Sequence, residues 1–185
     1  MNPTTGREAD RAGHRGTAER FAAGIEWVIE WAGRIAAWVS LLLVLVVAYD
    51  VLARYGLGGA SVAMQEFEWH LVPPIALIGM AYTMRHREHV RVDFIYSSLP
   101  PRGQAFIDLL GAVLTLVVSV IFIKLSLPFV RESYRLHEGS PDPGGLPDRW
   151  ILKAFIPLGF SLLAIQSVAM CIQHWLEMLR GARNE

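Results

Sequence analysis

Residues 65–93 read QEFEWHLVPPIALIGMAYTMRHREHVRVD, and the order of chemistries along them decides the fold class. Glu66, Phe67, Glu68, Trp69 and His70 form an acidic, aromatic collar. Leu71 to Met84 is apolar all round, and Arg85, His86, Arg87, His89 and Arg91 form a cationic exit. A soluble helix keeps one polar face along its whole length. This segment is polar only at its ends, the pattern of a membrane span, expected here over 67–84.

Composition agrees with that reading. Of the 185 residues, 53% are hydrophobic and only 18% are charged. That is too apolar for an ordinary soluble domain and too short for a complete multi-domain transporter. A formal net charge of zero gives no electrostatic case for a nucleic-acid partner. Cys171 is the single cysteine, which excludes an internal disulfide and a cysteine-based metal site.

Working upstream, residues 35–53 form the expected first span, about 28 Å of helix. Asp50 and Arg54 stand one turn apart at its end and are expected to neutralise one another. A cleaved signal peptide fits less well, because the preceding region is long and of mixed charge. From 17 to 34, Phe21, Ile25, Val28 and Ala32 recur at helical spacing, accompanied by Trp27 and Trp31. That pattern predicts an amphipathic helix lying on or near the inner membrane face, with an ordinary extension of the first span as the alternative, preceded by a disordered tail over 1–16.

Downstream, Pro73 and Pro74 remove two backbone donors near the entry of the second span. The third span, expected over 106–127, carries Asp108, Gly111, Thr115 and Ser119 as a narrow stripe of small and polar residues. In lipid such a stripe marks close helix packing. The loop over 128–149 contains SPDPGGLP at 140–147, a turn-rich and stiff composition. The fourth span is expected over 150–175, with Gly159, Gln166 and Gln173 on one face, and a short tail follows over 179–185. Lys124 and Lys153 are read as span-end lysines that snorkel to the outer headgroups of the lipid.

The expected architecture is therefore all-α: an integral membrane four-helix bundle forming one domain over 17–178. Orientation follows from Lys and Arg. Five lie in 1–34, four in 85–105 and two beyond 176, against one in 54–61 and three in 128–149. The bias places both termini and the middle loop in the cytoplasm.

Candidate chemistry is sparse. His86 and His89 with Asp93 have a metal-like spacing, but the neighbouring arginines oppose a divalent cation. His89, Arg91 and Asp93 are read instead as a solvated cytoplasmic loop, with Arg91 paired to Asp93. Glu66 and His70, one turn apart, are read as a helix-entry pair touching a neighbouring helix in preference to a proton relay. His70 and His174 lie near opposite ends of the chain's spans, with no facing histidine for a haem. No cofactor, metal or catalytic set is expected, and so no enzyme. Glu138, Asp142 and Asp148 surround Gly144 and Gly145 in the outer loop, which suits either a docking surface or a brace between spans.

Four stretches carry a resemblance to a known family. They are ARYGL at 53–57, QE at 65–66, GMAYTMR at 79–85 with HVRVD at 89–93, and EGSPDPGGLPDRWILK at 138–153. These resemble the small membrane subunit of tripartite ATP-independent periplasmic (TRAP) transporters, the DctQ-like family, in its longer mannitol/chloroaromatic-type subgroup. The resemblance implies a bacterial inner-membrane location beside a large multi-span TRAP permease subunit, which holds the substrate and sodium sites. It also implies a periplasmic solute-binding protein that delivers substrate, and a scaffolding role for the small subunit against a moving elevator domain. Many members have two adjacent acids where this chain has Gln65 and Glu66, so an acidic-pair role does not carry over. Two other classes stay open at this point: the membrane anchor of a redox enzyme, and a self-contained small exporter using Glu66.

Overall fold

A computed structural model describes residues 3–56, 58–59, 61–86 and 99–181. The loop motif His89, Arg91 and Asp93 lies outside the described residues. Four helices follow in order among those described: α1 (Pro3–Gly56), α2 (Val62–Arg85), α3 (Pro101–Arg135) and α4 (Arg149–Gly181). Local sequence sets their starts. The Ser61 hydroxyl accepts the Met64 amide at 3.4 Å as the N-cap of α2. Pro101 opens α3, where its missing N–H costs nothing and its fixed φ suits the first turn.

α4 is the central helix: it packs on α1, α2 and α3, while α1 also packs on α2. α3 rests chiefly on α4 and leaves its other sides open. Among the described residues, three helices are long and apolar enough to cross a membrane, over Ala22–Gly56, Gly103–Arg135 and Arg149–Leu176. α2 is not one of the three, although its 24 residues rise about 36 Å. Its acidic collar dilutes its hydropathy. Protein covers much of one side instead, with Leu71, Pro74, Ala81 and Met84 buried.

Two expectations change at the N-terminal end. α1 runs without interruption from Pro3 through the first span, so residues 3–16 are helical rather than irregular, and no break sets off a separate interfacial helix over 17–34. The buried face there is Ala22, Ile25 and Ile29, while Val28 is 48% exposed. Those three side chains pack with Ala81 of α2 and Ala169 of α4, so protein rather than lipid covers the face. A second cluster joins Met84, Ala112, Leu163 and Met170 across α2, α3 and α4.

Glycines set two close approaches. A Cβ at Gly33 would collide with the Tyr82 ring, and one at Gly159 would lie 2.9 Å from the Leu77 carbonyl oxygen. Along α3 the buried seam is Ala112, Ser119, Ser126 and Ser133, a small residue every seven positions. Ser119 was legible in the expected stripe. Gly111 is exposed and a Cβ there would meet nothing within 4 Å, so no described helix of this chain packs on it. Thr115 is half-buried beside the seam, its hydroxyl donating to the Gly111 carbonyl at 2.8 Å, and Asp108 is half-buried on the same flank.

Candidate functional site: an outer-loop clasp

The loop between α3 and α4 is built on a tight turn. The Gly145 amide donates to the Asp142 carbonyl at 3.0 Å, and Gly144 has φ +82° between them. Pro143 then Gly144 is the residue order that such a turn requires, proline fixing one φ and glycine supplying the positive one. The Ser140 amide donates to the Leu146 carbonyl at 3.0 Å, which closes the loop on itself.

The closed loop is pinned to α2 by Glu66. The Ser140 hydroxyl donates to one carboxylate oxygen, and the Leu146 amide donates to the other at 2.6 Å. Glu66 is only 8% exposed. Ser140 first, then the Leu146 amide, hold its carboxyl below the usual carboxylate range. Gly145 is required here, since a Cβ would lie 2.7 Å from the Glu66 carboxylate and press on Ser140.

The expected Glu66–His70 pair takes a different form. The His70 ring donates through Nδ1 to the Glu66 backbone carbonyl at 2.6 Å, leaving the carboxylate to the loop. Glu66 thus contacts a loop rather than a neighbouring helix. Glu138 is also turned inward: Lys153 donates to its carboxylate, and its carbonyl accepts the Arg149 amide at 2.9 Å. Lys153 holds the Glu138 carboxyl below its ordinary range. Lys153 is therefore not a headgroup lysine; its ammonium also sits 4.1 Å from the Phe129 ring. Asp142 and Gly144 remain exposed, Gly145 is half-buried, and Asp148 accepts the Trp150 indole N–H at 3.2 Å.

A second set of polar contacts lies at the opposite end of the bundle. Glu30 of α1 accepts from Arg85 at the end of α2, with His86 at 3.2 Å and Arg34 at 3.3 Å. Glu26 accepts from the Gln173 amide of α4. The sequence pattern alone assigns neither acid a role. Their spacing of one turn on the face next to Ile25 and Ile29 was the available signal. Asp50 and Arg54 do pair, at 2.6 Å.

Between these two rims the interior is filled by packing contacts such as those among Met84, Ala112, Leu163 and Met170, and Phe122 stacks on Phe160 at the surface between α3 and α4, with centroids 4.5 Å apart. Among the described residues no group of three or more His, Cys, Asp or Glu is placed to hold a metal ion. The class so defined is a helical membrane protein whose polar side chains brace its ends.

The chain belongs to the family described as tripartite ATP-independent periplasmic transporters, DctQ component, whose model matches residues 43–177. It is similar to the ectoine TRAP transporter small permease protein TeaB of Halomonas elongata. The two are 28% identical over 160 residues, covering 86% of this chain and 78% of that protein. It is also similar to a putative TRAP transporter small permease protein of Haemophilus influenzae. That match is 25% identical over 127 residues, 69% of this chain and 77% of the relative. The chain is a small subunit of a TRAP transporter, a component of transport rather than an enzyme.

Proposed function

We propose that this subunit is the scaffold of the transporter, holding a large ion-coupled permease subunit in the bacterial inner membrane for uptake with a periplasmic solute-binding protein. The observation that carries this reading is the position of its polar contacts. Charged side chains tie loop to helix at one end and helix to helix at the other, while packed side chains fill the middle. Such a bundle resists deformation and offers a fixed surface to a moving neighbour. Both termini lie in the cytoplasm in this reading, on the charge bias alone. The clasped loop then faces the periplasm. Its exposed tip, Asp142 to Gly144, is the part available to a binding protein, and a stiff tip loses little entropy on docking.

Thiol accessibility tests orientation and docking together, in a Cys171→Ala background. Thr5→Cys, Ser97→Cys and Asn184→Cys are expected to resist an impermeant reagent applied from outside, and Asp142→Cys to react. Asp142 suits the outer probe because it is exposed at the loop tip, whereas Ser140 is engaged by Glu66. Labelling at Asp142→Cys is expected to slow when substrate-loaded binding protein is added. Outside labelling of Ser97→Cys would overturn the orientation, and an unchanged Asp142→Cys rate would remove the loop tip from the docking surface.

A further inference from the structure

Lys124 was expected at the end of a span, but α3 continues beyond it to Arg135, about 16 Å further along the helix axis. No charged residue lies between Asp108 and Lys124, and none between Lys124 and Arg131. The lysine therefore stands inside the apolar stretch of α3 and is exposed on its surface. Each of these two cations comes five residues after a buried serine, Ser119 or Ser126. At about 100° per residue that places both roughly 140° around the helix from the seam on α4. They share the open side of α3 with Val113, Val117 and Val120.

Two features make lipid a poor environment for Lys124. A charge within the hydrocarbon is costly unless it is paired or reaches the interface. Cα–Cβ bonds tilt toward the helix N-terminus, so the stem of Lys124 starts away from the nearer, C-terminal end of α3. Snorkelling toward that end must reverse this direction. Neither Lys124 nor Arg131 has an acidic partner among the described residues, whereas Arg54, Arg85, Arg135 and Lys153 each have one.

We infer that the open face of α3 bearing Lys124 and Arg131 docks on a membrane helix of the large permease subunit that presents a carboxylate at the depth of Lys124. This rests on the scaffold reading above and assigns it a surface. Charge complementarity selects the occupant: an apolar helix with an acid at that depth both covers the valine strip and neutralises the lysine. Within the bundle α3 packs chiefly on α4, which leaves this opposite face uncovered.

The test uses the tagged chain co-expressed with the large subunit, and wild-type recovery of the complex establishes that assembly occurs. Lys124→Met keeps the length of the side chain and removes the charge. Facing lipid, that change would leave recovery intact or improve it. Facing a partner carboxylate, it strands that group, and recovery of the large subunit is expected to fall by about tenfold or more. Lys124→Arg is expected to retain the complex. A benzophenone residue in place of Lys124 should form a photoadduct with the large subunit. Full recovery with Lys124→Met, equal loss with Lys124→Arg, or an adduct with lipid alone would overturn the assignment. Failure of the wild-type chain to recover a large subunit would instead count against the scaffold reading itself.

Discussion

Glu66 is separated in the chain from Ser140 and Leu146 by most of α2 and all of α3, yet its two carboxylate oxygens hold both. Removing that carboxylate leaves a hydroxyl and a backbone amide to find other acceptors. In detergent solution Glu66→Ala is expected to speed cleavage by a non-specific protease within 140–147, and Ser140→Ala to have a smaller effect. The same contact has a pH dependence whose sign is fixed. The folded-state pKa is depressed, so the clasp's contribution is complete above the ordinary carboxylate range and is lost as pH falls through the lower folded value. Loop protection should hold from pH 7 down through the ordinary carboxylate range and fail only below it. Opening of the loop between pH 6 and 7 would exclude Glu66 as its anchor. The turn itself was legible, because Pro143 and Gly144 have only a few backbone solutions. Its partner was not. Nothing local to Glu66 distinguishes an acid bonded to a neighbouring loop from one bonded to a helix.

Among the elements, the glycines separate what holds the bundle from what faces outward. A side chain at Gly159 must displace the Leu77 backbone of α2, whereas one at Gly111 enters open space. Gly159→Leu is therefore expected to destabilise the isolated subunit by about 1–3 kcal/mol, read as a lowered thermal midpoint. Gly111→Leu should change it by less than about 0.5 kcal/mol. Equal effects of the two would mean that α2 and α4 do not approach as described. The α3 seam shows why sequence located the stripe only in part. Ser119 belongs both to the expected stripe with Asp108, Gly111 and Thr115 and to the observed heptad series with Ala112, Ser126 and Ser133. Gly111 stands about 80° around the helix from Ser119, and only the neighbour decides how far around the cover extends. The N-terminal half of α1 gave a similar ambiguity. An apolar face fits a membrane surface or a helix pair equally well, and here Ala81 and Ala169 cover it.

At the scale of the molecule, the number of helices and their order could be read directly, since long apolar runs separated by Pro- and Gly-rich segments leave little choice. Their arrangement could not. That α4 touches every other helix while α3 touches chiefly one is a matter of packing, which sequence periodicity does not encode. This asymmetry makes the subunit one-sided, with a braced half formed by α1, α2 and α4 and an outlying helix free to meet a neighbour. The central claim is that such a body scaffolds a permease rather than transports by itself. It is tested most directly by uptake into proteoliposomes containing the large subunit, substrate and the binding protein, with and without this chain. Ion-gradient-driven uptake is expected only when both membrane subunits are present, with none from this chain alone. Equal uptake by the large subunit without it, or uptake by this chain alone, would contradict the account.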